Sequence, residues 1–301
     1  MNINENAKIK RFVQACNCFP AQIQNLFLNI TEDNKEICEE IRLRAGQPAY
    51  ALWNSTEHKL GDYIVSQNNL QEILSRASRY SVHSYSESIA QGFLPLDGGH
   101  RLGVCGTAII KDGNISGIRT ISSLNLRIAR QYIGCADSLS PHVFFKNGRP
   151  KSVLILSPPA YGKTTILRDL IRQVSNKNIR ISVADERGEL SAMHQGIAQF
   201  DVGLHTDIIE QAPKAQAVML LLKTMSPQVI ALDEITSPND LQAINYAGNC
   251  GVSIFASAHA MNLDDLQKRP LYKDMMKLNI FDMIVTIEKT ENLRKVIIHA
   301  I

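Results

Sequence analysis

Nine residues constrain this chain more than any others: Ser157-Pro158-Pro159-Ala160-Tyr161-Gly162-Lys163-Thr164-Thr165. The apolar run Val153-Leu154-Ile155-Leu156 leads into them, and Ile166, Leu167, Leu170, Ile171 and Val174 leave them on one helical face. The stretch therefore reads as strand, loop, helix, with a turn rich in backbone donors at a helix N-terminus. A triphosphate needs that arrangement: open N–H groups, a mobile cation and a metal-binding hydroxyl within a few ångströms. Gly162 lets the backbone approach phosphate oxygens, Lys163 reaches the β- and γ-phosphates, and Thr164 can ligate Mg²⁺. The general pattern G-x-x-x-x-G-K-[ST] (Walker A) is kept except that Ser157 stands at the first glycine. We expect Ser157 to Thr165 to bind ATP.

The rest of the second half alternates strand and helix. Strands are predicted at Val153–Leu156, Ile179–Ala184, Val229–Leu232 and Val252–Ala256, with closing strands at Met283–Glu288 and Lys295–Ile301. Helices are predicted at Thr164–Val174, Pro213–Thr224 and Pro238–Asn249, the last opened by Ser237 as N-cap with Pro238 in its first turn. Continuous apolar strands separated by helices predict an α/β fold with a parallel sheet covered on both faces.

In such a sheet the C-terminal strand ends face the ligand. Asp233 and Glu234 end one strand: Asp233 is expected to hold Mg²⁺ through water, and Glu234 to act as general base on the attacking water. Asp185-Glu186-Arg187-Gly188-Glu189 ends another, so Asp185 is expected to complete the Mg²⁺ shell and Glu186 to orient water; the competing reading is a solvated turn. His259 follows a fourth strand and could contact the γ-phosphate or serve as a structural histidine.

In the first half, Thr31 is read as the cap of a helix carrying Ile37 and Ile41 and ending in Arg42-Leu43-Arg44-Ala45-Gly46. Pro48–Trp53 reads as a strand, and Ser66 opens a helix with Leu70, Ile73, Leu74 and Ala77 on one stripe. Asp97-Gly98-Gly99 and Lys111-Asp112-Gly113-Asn114 are turn signals around a strand at Arg101–Ile110. His83 and His100 are expected to be structural or surface residues. The domain reading is an α/β unit at 1–118, an arginine-bearing linker at 119–150 and a phosphate-loop unit at 151–301. Arg119, Arg127 and Arg130 on that linker are either surface arginines or are presented to the γ-phosphate of a neighbouring subunit.

Composition excludes some classes. Apolar residues at 45% and charged residues at 20% are ordinary for a globular protein, and a net charge of +3 does not by itself point to nucleic acid or an anionic membrane. The six cysteines lack metal-ligand spacing, and no apolar stretch is long enough to span a membrane.

Taken in order, phosphate loop, acidic box, Asp-Glu strand end and strand-end histidine resemble the secretion ATPases of type II and type IV secretion and pilus systems. Glu40-Ile41-Arg42-Leu43-Arg44, Gly99 to Gly106, Ile121 to Arg130, Asp201-Val202-Gly203 with Thr206-Asp207, Met225-Ser226-Pro227 and Lys268-Arg269-Pro270 are similar to the stage III sporulation protein AA family. The resemblance covers residue 37 to the end. It implies a RecA-like core behind a smaller α/β domain, Mg²⁺-dependent ATP hydrolysis, and a homo-oligomeric ring, expected to be a hexamer. It also implies a cytoplasmic protein docked peripherally on membrane proteins of a channel between mother cell and forespore. Two other activities fit the motifs: an ATP-gated assembly platform with little turnover, and a nucleic-acid translocase. Few aromatics, modest charge and the lack of a basic module make nucleic acid an unexpected partner.

Overall fold

The computed structural model describes residues 3–80, 89, 92–159, 161–289 and 294–300. The sequence-based readings at His83, Ala160 and Ile301 lie outside them. The chain divides into two compact units, Met1–Arg130 with His194–Gln199, and Gln131–Met193 with Phe200–Ile301.

The first unit opens with helices α1 (Ile3–Ala15), α2 (Ala21–Leu28) and α3 (Glu32–Ile37) and carries α4 (Gln67–Ala77). Its six strands are β1 (Glu40–Arg44), β2 (Pro48–Trp53), β3 (Thr56–Ile64), β4 (Phe93–Pro95), β5 (Arg101–Lys111) and β6 (Asn114–Arg127), ordered β3-β2-β1-β6-β5-β4 and antiparallel throughout. Alternation decides which face is inside: Ile41, Leu43, Leu102, Val104, Leu124 and Leu126 pack against Phe12, Phe19, Ile23, Phe27, Leu70 and Ile73. Ser66 caps α4 by accepting from the Asn69 amide.

Two expectations are corrected here. The helix begun at Thr31 stops at Ile37, and Glu40–Arg44 is a strand, because Ile41 and Leu43 alternate inward while Glu40, Arg42 and Arg44 take the other face. Residues 119–127, read as linker, belong to β6, where Ser123 to Arg127 pair with β1. The N-terminal fold needs them, since β6 is a central strand.

His100 is 1% exposed, and its Nδ1 accepts from the Ala129 amide at 3.0 Å. It is a structural histidine joining the end of β6 to the Asp97–Gly99 turn.

The second unit is a seven-stranded sheet of β7 (Val153–Leu156), β8 (Ile181–Asp185), β9 (Thr206–Glu210), β10 (Val229–Leu232), β11 (Ser253–Ala258), β12 (Met283–Lys289) and β13 (Arg294–Ala300). Its order is β13-β12-β7-β11-β10-β8-β9, parallel except for the final β12–β13 pair. Helices α5 (Lys163–Ser175), α6 (Lys214–Thr224), α7 (Pro238–Asn249), α8 (Leu263–Lys268) and α9 (Pro270–Lys277) complete it. Every residue of β7, β8, β10 and β11 is buried, as expected of strands covered on both faces. Edge strand β9 lacks that apolar signal, Asp207 and Glu210 interrupting it, and was not anticipated.

Candidate functional site

The local sequence sets the phosphate loop. Strand β7 ends at Leu156, and the chain turns into α5 through Gly162, whose φ of 96° is a left-handed conformation that favours glycine. Ser157 is fully buried and is not among the residues with positive φ, so serine serves at the position where the general pattern has glycine. Pro159, Gly162, Lys163, Thr164 and Thr165 line a cleft of about 360 Å³. Ser157, Pro158 and Tyr161 shape the loop without lining it.

The neighbouring strands bring their ends to the same cleft. Asp233 and Glu234 follow β10, Ser257 lies in β11 and His259 follows it, and all four line the cleft with Arg187, Glu189 and Tyr132. Lys163 Nζ lies 2.8 Å from His259 Nδ1, and His259 Nε2 lies 3.0 Å from Glu234 Oε1. An ammonium can only donate, so Nδ1 is the acceptor, and the imidazole proton on Nε2 is shared with Glu234. Burial pulls the Lys163 ammonium below its usual pKa, opposed by the charges of Glu234 and Glu189. Cation, imidazole and carboxylate thus form one chain of contacts.

Asp233 is 4% exposed, and burial raises its pKa to about 6 against the pull of Lys214 and the Glu234 amide. Its Oδ1 accepts from that amide at 2.7 Å. Hard oxygen donors, the Thr164 hydroxyl and the Asp233 carboxylate, suit Mg²⁺. When bound there with nucleotide, the ion would neutralise phosphate charge.

The acidic box behaves differently from expectation. Asp185 is fully buried and does not face the cleft. Its carboxylate accepts from the amides of Glu189 at 2.8 Å, Leu190 at 3.1 Å and Ser191 at 2.8 Å, and from Ser191 Oγ at 2.7 Å. It holds the turn after β8 and has no capacity to spare for a metal. Glu186 does not line the cleft either; its Oε2 lies 2.8 Å from Lys214 Nζ. The box reaches the cleft through Arg187 and Glu189 instead.

None of the three arginines is among the cleft-lining residues. Arg130 donates to the carbonyls of Cys38 at 2.6 Å and Lys35 at 3.0 Å. Arg127 is largely exposed and donates to Glu40 Oε1 at 3.2 Å, while Arg119 is exposed on β6.

Sequence reasoning missed Lys214 and Tyr132. A lysine opening a helix carries no signal of burial. Tyr132 carries no sequence signal either; it stands on the segment after Arg130, which lies along α5: Cys135 Sγ meets the Thr165 carbonyl, the Ala136 amide meets Asp169, and Asp137 meets Gln173.

Among the described residues no helix is long and apolar enough to cross a membrane. In solved structures, the fold is similar to that of the Legionella pneumophila ATPase DotB, at a TM-score of 0.61 and 13% identity over 93% of this chain and 80% of that one. It is also similar to the pilus retraction motor PilT crystallised with ADP, at a TM-score of 0.57 and 14% identity over 87% and 78%. These likenesses identify a RecA-like phosphate-loop core preceded by a smaller α/β domain. The stage III sporulation protein AA of Bacillus subtilis is 34% identical over 277 residues, 90% of this chain and 89% of that protein. Residues 9–298 match the family described as sporulation stage III, protein AA. Near full-length agreement in sequence, on the fold found in DotB and PilT, makes this chain a member of the stage III sporulation protein AA family.

Proposed function

We propose that the second unit binds ATP with Mg²⁺ and hydrolyses it, and that the protein serves sporulation as a ring of identical subunits docked on membrane proteins of a channel. The contact chain Lys163–His259–Glu234 beside Asp233, at the mouth of the phosphate loop, carries this reading. A triphosphate would draw Lys163 toward its β- and γ-phosphates. Glu234, oriented by His259, would then accept the proton of the attacking water. Arg187, which also lines the cleft, would meet phosphate charge there. The names of the relatives, ATPase and motor, support the activity, and membership of a sporulation family supports the setting.

Of the three arginines, Arg127 and Arg119 are the candidates to reach a neighbouring subunit's nucleotide, because carbonyls of its own unit already hold the Arg130 guanidinium. The gated-platform reading draws on the same contacts. With Lys163 and Glu234 both engaged by His259, turnover requires rearrangement, and the isolated protein would be slow.

The test combines binding and turnover. Lys163→Ala should lose ATP binding, and Glu234→Gln should keep binding while hydrolysis falls at least a hundredfold, on the order expected for loss of a general base. Hydrolysis that survives Glu234→Gln would contradict the assignment. Tight binding with no turnover in the parent, alone or with membranes, would favour the platform.

A further inference from the structure

Lys214 is a buried cation at the wrong end of a helix. It is the first residue of α6 and is 3% exposed, although the N-terminal end of a helix dipole repels positive charge and buried lysines are rare unless paired. Its Nζ lies 2.8 Å from Glu186 Oε2, 3.5 Å from Asp233 Oδ1 and 3.5 Å from Thr236 Oγ1. One ammonium therefore joins the residue after β8, the residue after β10 and the loop that leads to α7.

The β8–β10 ladder does not hold these residues, although Ser257 of β11 donates to the Asp233 carbonyl. That ladder ends at the pair Ala184–Leu232, so Glu186 and Asp233 lie just beyond its hydrogen bonds. Asp233 Oδ1 is the oxygen nearest Lys214, and it also accepts from the Glu234 amide at 2.7 Å. Lys214 thus grips the carboxylate from behind, on the oxygen that ties it to the Glu234 backbone. Asp233 and Glu234 line the cleft, whereas Lys214 and Glu186 do not.

We propose that Lys214 is a positioning residue: its ammonium, held on Asp233 Oδ1, fixes the orientation of the carboxylate that would meet the Mg²⁺ of the nucleotide, and with it the place of Glu234. This rests on the proposed Mg·ATP site. Without Lys214, two carboxylates at the strand ends lose their shared counter-ion, and Asp233 loses its fixed orientation. Lys163 and the phosphate loop, which need no metal to hold phosphate, are untouched.

Binding of a fluorescent, non-hydrolysable ATP analogue separates the two contributions. It is measured first in EDTA and then across a Mg²⁺ titration, for the parent, Lys214→Met and Lys214→Arg. Lys214→Met should match the parent within about twofold in EDTA but need about tenfold more Mg²⁺ for half-maximal tightening, the scale of one lost charge-assisted contact. Lys214→Arg should return the Mg²⁺ midpoint to within about threefold of the parent. Should Lys214→Met fail to fold, the double variant Lys214→Met/Glu186→Gln removes one charge of each sign, and it should show the same Mg²⁺ shift. An unchanged or lowered Mg²⁺ midpoint would overturn the proposal, as would loss of binding in EDTA, which would make Lys214 a purely structural residue. A folded parent that binds no analogue with or without Mg²⁺ would instead refute the nucleotide site, and this inference with it.

Discussion

At the scale of the residue, two aspartates at neighbouring strand ends have opposite tasks. Asp185 spends its carboxylate on amides and a hydroxyl of its own turn, whereas Asp233 lines the cleft. Asp185→Ala should therefore cost about 3 kcal/mol or more of stability by leaving several buried donors unpaired, read as a drop in the urea midpoint. Asp233→Ala should leave the fold nearly intact and remove the Mg²⁺ dependence of nucleotide binding. His100 supplies a separate test in the N-terminal unit. Burial, with the charges of Arg11 and Arg130, lowers its pKa to about 4 from an ordinary 6.5. The unfolded chain then binds the extra proton first, so stability is full above pH 6.5 and falls as pH drops toward 4. The loss is on the order of 3 kcal/mol. Urea unfolding between pH 7 and 4 should show that slope, and His100→Asn, which keeps an acceptor for the Ala129 amide, should flatten it. The sequence displayed all these acids and histidines, yet it did not say which would turn inward. That depends on amides supplied by a turn four to six residues away, and on a lysine brought in by another helix.

At the scale of elements, what was legible followed from local chemistry. The apolar runs of β7 and β10, the capping of α7 by Ser237 and the turn at Asp112-Gly113 need only their own residues. Strand β9 was hidden because an edge strand needs no continuous apolar run. Strand β1 was misread because Ile37 and Ile41 sit four apart, a helical interval, although Ile41 and Leu43 already alternated. The β5–β6 hairpin shows a further tertiary requirement. It continues past its contacts with β1 and β4 through three register shifts, the first next to Gly106. A Cβ at Gly106 would lie 2.0 Å from the Thr120 carbonyl oxygen, and backbone cannot yield there. Gly106→Ala should lower the unfolding temperature of the N-terminal unit by several degrees, on the order of 2 kcal/mol, without changing nucleotide affinity in the core. Calorimetry together with analogue binding would check both halves of that expectation.

At the scale of the whole molecule, fold and family were readable from sequence because several motifs agreed in order along the chain, where each alone is common. The boundary between units was harder to place. Residues 119–127 look like a connector because they are small and basic, yet β6 carries them into the middle of a sheet. Residues 194–199 return to the first unit, with His194 Nε2 3.2 Å from Asp97 Oδ1. If Arg127 completes a neighbour's site, Arg127→Ala should cut turnover by about 10³-fold while leaving ATP binding and stability close to the parent's. Mixing it with Glu234→Gln subunits should restore part of the activity, since each variant supplies what the other lacks. The central claim, a Mg·ATP site that becomes complete on assembly, is tested most directly by ATP turnover per subunit as protein concentration rises, with Glu234→Gln as control. The account predicts specific activity that climbs with concentration and is abolished in the control. Turnover that is flat with concentration yet dependent on Glu234 would place a complete site in each monomer and contradict it.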